Sequence, residues 1–162
     1  MARAKFCSRA VLRAALLFLF AVPALTVLPP TQLEAAMRAE RLWLVTAAGR
    51  ETPIDVEIAE DPQDKQVGLM FRTDLPDGKG MLFAYESPRE VTMWMHNTYI
   101  PLDMVFIRPD GVVHRIETRA EPMSERIISS QGPVIAVLEL AGGAAERLGL
   151  KAGDRVRHPL FK

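Results

Sequence analysis

Cysteine is almost missing from this 162-residue chain, and the one present, Cys7, lies in a basic opening segment ahead of an apolar run. A lipid-bearing cysteine would follow such a run, so no lipid is expected there. Without that segment the body has no cysteine, which excludes thiol catalysis, disulfides and cysteine-based metal sites and leaves stability to the core. The fingerprints G-x-S-x-G, P-loop and G-x-G-x-x-G are also missing, which excludes the hydrolases, nucleotide and dinucleotide binders that they mark. His96, His114 and His158 stand on three separate segments without ligand-type spacing. Neither a metal nor another cofactor is therefore expected. Net charge is missing too, since 20 Lys+Arg stand against 20 Asp+Glu. The balance hides a segregation: the first thirty residues hold Arg3, Lys5, Arg9 and Arg13 and no acid, leaving 16 basic against 20 acidic, or about −4, in the body. That is the wrong sign for gripping phosphate backbones, so no nucleic-acid partner is expected.

What is present begins with an export signal. Met1 to Arg13 is basic, and Ala14 to Leu28 is an apolar run of about fifteen residues interrupted only by Pro23 and Thr26. It is shorter than the roughly twenty residues that cross a bilayer core, and the layout is that of a secretory signal. Residues 1–35 are read as signal peptide and start of a linker, with cleavage after Ala35 or, less well, Ala36. Because no A-x-A site follows, an uncleaved inner-membrane anchor is the alternative. A periplasmic or secreted protein is expected, touching a membrane only through this segment if it stays uncut. Residues 36–41 read as linker and 42–162 as a single domain.

In that domain Leu42 to Val45 reads as a short strand, and Ile54, Val56 and Ile58 alternate with Asp55 and Glu57 as in a strand with one wet face. Asp61-Pro62-Gln63-Asp64 has a capping residue, a proline at the first helical position and an early acid, predicting a short helix to about Met70. Leu75 to Gly80 is turn chemistry. Short strands are predicted at Met81 to Tyr85, Val91 to His96, Leu102 to Ile107, Val112 to Thr118, Arg126 to Ser129, Val134 to Leu140 and Arg155 to His158. Leu102 to Ile107, apolar on both faces, is predicted to be central. Ala144 to Leu148 reads as one or two helical turns ended by Gly149. The expectation is a mainly β, β-rich α+β domain with two short helices, compact and mostly antiparallel, a small barrel or sandwich.

The most unusual stretch is Trp94-Met95-His96-Asn97-Thr98-Tyr99-Ile100-Pro101-Leu102-Asp103. Period-two spacing puts Trp94 and His96 on one face and Met93 and Met95 on the other. Asp103 is the lone acid of an apolar strand and needs a partner, because desolvating an unpartnered charge costs several kcal/mol or more. In one reading it accepts backbone N–H groups of the Asn97-Thr98 corner and pins the turn. In the other, Asp103, His96 and Asn97 surround a pocket walled by Trp94, with Asp103 orienting an imidazole base. Arg72, just past a helix, is a partner for a buried carboxylate or an anionic ligand, or a helix cap. Met70, Met81, Met93, Met95 and Met104 read as adaptable core filler rather than copper ligands.

Four phrases in order, Gly68-Leu69-Met70-Phe71-Arg72, Gly80-Met81-Leu82-Phe83, Trp94 to Asp103, and Leu138-Glu139-Leu140-Ala141-Gly142-Gly143 to Gly153-Asp154-Arg155-Val156, resemble the uncharacterised bacterial and archaeal family known as domain of unknown function 192. The resemblance spans about residues 42–158. It implies a compact β-rich domain, often exported, with no established activity. The family usually has lysine where this chain has His96, which argues against an indispensable base and suits a cationic or hydrogen-bonding contact. Arg72, Trp94, Asn97, Thr98 and Asp103 match the family's motif as they stand. The leading expectation is an exported binding or accessory module whose polar cleft, lined by Arg72, Trp94, His96, Asn97, Thr98 and Asp103, holds a small polar or anionic ligand. The alternatives are a hydrolase or transferase using Asp103 with His96, and a structural or protein-interaction domain without a ligand.

Overall fold

Period-two burial builds the sheet. In strand β2 (Glu51–Ala59) Ile54, Val56 and Ile58 are buried while Asp55 and Glu57 turn to the other face, as the alternation requires. The computed structural model describes residues 37–161. The segment read as a signal peptide or anchor lies outside them, and among the described residues no helix is long and apolar enough to cross a membrane. The other strands are β1 (Ala39–Val45), β3 (Lys79–Met93), β4 (Leu102–Ile107), β5 (Val113–Ala120), β6 (Ile128–Ala141) and β7 (Arg155–Arg157). They form one curled sheet, a half-barrel, in the order β5-β4-β6-β3-β2-β1-β7. All neighbours pair antiparallel except β2 and β3, which are parallel. This is the mainly β, mostly antiparallel fold expected, with its two short helices α1 (Pro62–Val67) and α2 (Ala144–Leu148).

The single parallel pair positions the candidate site. Parallel neighbours cannot be joined by a tight turn, so residues 60–78 cross over the sheet and carry α1 with them. The helix starts where the sequence predicts: the Asp61 side chain accepts a hydrogen bond from the Asp64 N–H at 2.8 Å, with Pro62 in the first turn. It ends at Val67, earlier than Met70, because Gly68 leaves helical geometry at φ 50°. Gly68 packs so closely on Phe83 that a Cβ there would lie 2.9 Å from the ring.

Several element boundaries differ from the sequence reading besides the end of α1, including β5, which is Val113–Ala120, and β7, which ends at Arg157. β1 begins at Ala39, so the last three residues of the stretch read as linker 36–41 pair with Asp55 to Glu57 of β2. Met81 to Tyr85 and Val91 to Met93 are not separate strands: β3 runs continuously through Pro88, with irregular register between Ala84 and Arg89 and again between Glu90 and Thr92. Trp94 to His96, expected to continue the second strand, leave the sheet into a turn. A bulge lets a strand carry a proline without losing a ladder bond. Likewise Ile128 to Ser129 and Val134 to Leu140 belong to one strand, β6, while Arg126 and Ile127, expected to open the earlier strand, stay in the preceding loop. β4 is buried at every position, as its two apolar faces predict, although it stands second from the β5 edge rather than at the centre of the sheet, because the two apolar clusters cover it on both faces.

Each face of the sheet carries its own apolar cluster. On one, Leu138, Leu140, Val105 and Ile107 pack with Ala144 and Ala145 of α2. On the other, Met81, Phe83, Met104 and Val137 pack with Leu69 and Met95. Because side chains alternate along a strand, one residue's shift along β4 or β6 decides which cluster it joins.

Candidate functional site

The chain leaving α1 meets the corner between β3 and β4. Phe71 donates its backbone N–H to the Asn97 carbonyl at 2.8 Å, Thr98 donates N–H to Met95 O at 3.1 Å, and Met123 donates N–H to Thr98 O at 3.0 Å. Three residues in this small network have left-handed backbone: Phe71 at φ 62°, Asn97 at 51° and Met123 at 61°. Asparagine tolerates that conformation, but a phenylalanine or methionine there is strained by roughly 1–3 kcal/mol. Such strain persists only where the surroundings enforce it, and it gathers at functional corners.

The same corner exposes apolar surface. Trp94 is 44% exposed and Phe71 59%, with Tyr99 and Val67 exposed beside them in the chain. The indole of Trp94 stacks on the His96 ring at 4.8 Å between centroids, and Phe71 meets Tyr99 edge-on at 6.2 Å. His96 Nδ1 lies 2.6 Å from Glu125 Oε1, and the buried Thr98 hydroxyl donates to the His96 carbonyl at 3.1 Å. Trp94 and His96 thus share a side and Met95 is fully buried, as expected, but Met93, expected beside Met95, lines the same slit as Trp94 and His96, because the strand ends at Met93 and its period does not carry on.

Between α1 and this corner lies a narrow slit of about 30 Å³, lined among others by Gly68, Met70, Phe83, Met93, Trp94, His96 and Thr98, with Glu139 in its wall. Glu139 is 4% exposed. Its β6 position pairs with Met81 of β3 and Met104 of β4, so the acid sits among methionines. Among the described residues no hydrogen bond or ion pair answers its carboxyl group, and burial pushes that group up to about 8. Tyr85 is close enough to feel the acid; burial raises its phenol, Arg89 opposes the rise and Glu139 adds to it. A carboxyl that stays protonated near neutrality in a slit is a hydrogen-bond donor, or an ion-pair partner for a cation that enters.

Not all of the residues expected to line one cleft converge. Trp94, His96 and Thr98 do, on the slit, and Asn97 holds the corner through its carbonyl. Asp103 does not. It is 0% exposed and accepts backbone N–H groups from Arg119 at 2.7 Å, Gly143 at 2.9 Å and Ala145 at 2.8 Å. It therefore pins β5 and the start of α2 rather than the Asn97-Thr98 corner. Its alternation in β4 also points it to the α2 side of the sheet, away from Met104 and Glu139. It cannot orient the His96 imidazole, whose ring nitrogen faces Glu125 instead. Arg72 also stands apart: both its amino groups bind the Glu57 carboxylate, Nη1 to Oε1 at 2.6 Å. The guanidinium holds that carboxyl below its ordinary range against the pull of partial burial. This pair borders a different cavity, of about 370 Å³, with Asp55, Leu75 and Pro76.

Glu139 is the residue that the sequence reading passed over. Its signal was present, since it is the lone acid in the apolar run Val134 to Leu140, the same pattern that marked Asp103. No three His, Cys, Asp or Glu side chains among the described residues gather as a metal site.

The profile of the family DUF192, described as Uncharacterized ACR, matches residues 44–158. Among solved structures the chain is similar to a proposed transcription regulator from Sinorhizobium meliloti 1021, at 45% identity and TM-score 0.77, covering 79% of this chain and 99% of that one. It is also similar to a protein of unknown function from Novosphingobium aromaticivorans DSM 12444, at 36% identity and TM-score 0.74, covering 82% of this chain and 94% of that one. No curated protein matches.

Proposed function

The chain belongs to the DUF192 family, and from that premise we propose that its domain is a binding module whose site is the slit between α1 and the Trp94–Tyr99 corner. The observation that carries this reading is Glu139, a buried carboxyl with no partner among the described residues, set in a slit walled by Trp94, His96 and Thr98. Among the described residues no fully buried side-chain oxygen lacks a partner, so the Glu139 carboxyl reaches the open space of the slit, where a ligand's polar end can meet it. The ligand class is narrower than the small polar or anionic molecule expected from sequence. Arg72 is engaged by Glu57 and lies in another cavity, while the group facing into the slit is an acid, so a polar rather than anionic ligand fits.

The export reading belongs to the same proposal: the basic and apolar opening segment delivers the module to the periplasm or the medium. The regulator assignment of the Sinorhizobium relative concerns that protein. In this chain the body carries 16 basic against 20 acidic residues, which supports a small ligand rather than a phosphate backbone.

A thermal-shift and native mass-spectrometry screen of periplasmic metabolites, sugars and cell-wall fragments tests the binding reading. At least one binder is expected, lost on Glu139→Gln and weakened on Trp94→Ala. Binders indifferent to both substitutions would overturn the assignment of the slit. Cell fractionation of the full chain tests the address, with signal in the cytoplasm alone as the contrary result.

A further inference from the structure

The slit is too small for a whole metabolite and the right size for the end of one. At about 30 Å³ it holds a group the size of a water molecule, such as –OH or –NH₃⁺, and not a carboxylate or phosphate. Its walls are mostly apolar or aromatic, from Met70, Phe83, Met93 and Trp94. Of the other polar groups around it, His96 faces Glu125, the Thr98 hydroxyl donates to the His96 carbonyl, Lys65 donates to the Glu60 carbonyl while lying over the Tyr85 ring at 5.3 Å, and Gln66 is exposed to solvent. Glu139, 4% exposed, lines the slit and alone among these groups is buried with no hydrogen bond or ion pair among the described residues, its carboxyl being open to the slit rather than sealed.

Building on the reading that the slit binds a ligand, we infer that its occupant is the primary ammonium end of an unbranched aliphatic amine, either a free amine or a lysine side chain, paired with Glu139 and with its methylene stem along Trp94. A carboxylate or phosphate end is too large for the slit. A hydroxyl offers one donor, whereas an ammonium offers three and a charge, and an aromatic face beside the path attracts a cationic stem. The cost of admitting it is modest. At pH 7, ionising an acid that titrates at about 8 weakens binding by about tenfold, while charge-assisted hydrogen bonds in a desolvated site return about one to two orders of magnitude. In this step Glu139 gives its proton to solvent and the amine keeps its own. The titratable groups facing the acid are Tyr85 of β3, Lys65 of α1 and His96 of the corner, and β4 places Met104 opposite it.

The test titrates the folded protein, in a Trp43→Phe background so that fluorescence reports Trp94, with n-butylammonium chloride, Nα-acetyl-lysine amide, 1-butanol and sodium butyrate. Saturable binding is expected for an ammonium probe, weakened at least tenfold by Glu139→Gln as read by fluorescence and by Trp94→Leu as read by calorimetry, since that variant carries no tryptophan reporter. Close to one proton is expected to be released at pH 7 by calorimetry of the native chain in two buffers. Binding of butylammonium alone identifies a free amine as the source. Binding of the lysine amide alone identifies a lysine side chain. If butanol or butyrate binds as well as the ammonium probes in a Glu139-dependent way, the ammonium assignment falls and the slit remains a binding site. If no probe shows Glu139-dependent binding the inference falls, and the metabolite screen then decides separately whether the slit binds anything.

Discussion

Asp103 and Glu139 stand one register step apart on the paired strands β4 and β6, and they leave the sheet from opposite faces. Asp103 partners Leu140 and points toward α2, where three backbone N–H groups meet it. Glu139 partners Met104 and points into the slit, where no described group does. Two buried acids of similar sequence signature thus have different roles, because one is satisfied by the fold and the other is not.

Replacing Asp103 should cost stability, not ligand affinity. Asp103→Ala strands three N–H groups that now donate to a carboxylate, and denaturant unfolding should show a loss of about 3–5 kcal/mol. Asp103→Asn keeps part of the network and should lose less, with any slit ligand bound as in the native chain. A variant of native stability that no longer binds would return Asp103 to the site.

Glu139 should make the fold less stable as the solution turns alkaline. Its carboxyl titrates at about 8 when folded against 4.5 as its ordinary value, so between those limits the native state holds the extra proton. The stability tied to the neutral acid is complete below about pH 4.5 and is lost as pH rises through about 8, a fall of at most about 5 kcal/mol. Carboxyls held low by partners, such as Asp55 with Arg41 and Lys79, act in the opposite direction and at lower pH. Unfolding curves from pH 5 to 9 should slope downward in the native chain and flatten in Glu139→Gln.

Arg72→Ala should be mild. The Arg72 and Glu57 side chains are both about one-third exposed, at 35% and 37%, and solvent screens the pair. The expected cost is about 1 kcal/mol or less by thermal or denaturant unfolding, with binding at the slit unchanged. A large loss of slit binding would show that the two cavities communicate.

The strained corner gives a prediction of opposite sign. Met123 is exposed with φ 61°, so Met123→Gly should stabilise by about 0.5 kcal/mol, the relief of left-handed strain less the entropy that glycine adds to the unfolded chain. Gly68→Ala should destabilise by about 1–3 kcal/mol, since its Cβ would meet Phe83 at 2.9 Å and φ is positive. Denaturation midpoints of the two variants should move apart.

Much of this protein is legible in its sequence, where the forces are local. The buried alternation of Ile54, Val56 and Ile58, the Asp61 cap with Pro62, and the wholly apolar β4 are set by side-chain period and by each residue's own backbone preferences. So is the separation of a basic opening segment from an acidic, cysteine-free body. The continuity of β3 and β6 was not legible, because the irregular register between Ala84 and Arg89 and between Glu90 and Thr92 is set by the pairing of the two strands with each other. The site was legible only in part. Trp94 and His96 share a side by spacing alone, but the sequence cannot say what lies opposite an acid across a sheet. That Asp103 finds the N–H groups of Arg119, Gly143 and Ala145, that Arg72 finds Glu57, and that Glu139 finds nothing but a slit are outcomes of contacts between residues distant in the chain. Desolvation and pairing depend on three-dimensional neighbours, so only the tertiary structure could decide which of the acids was left unpaired.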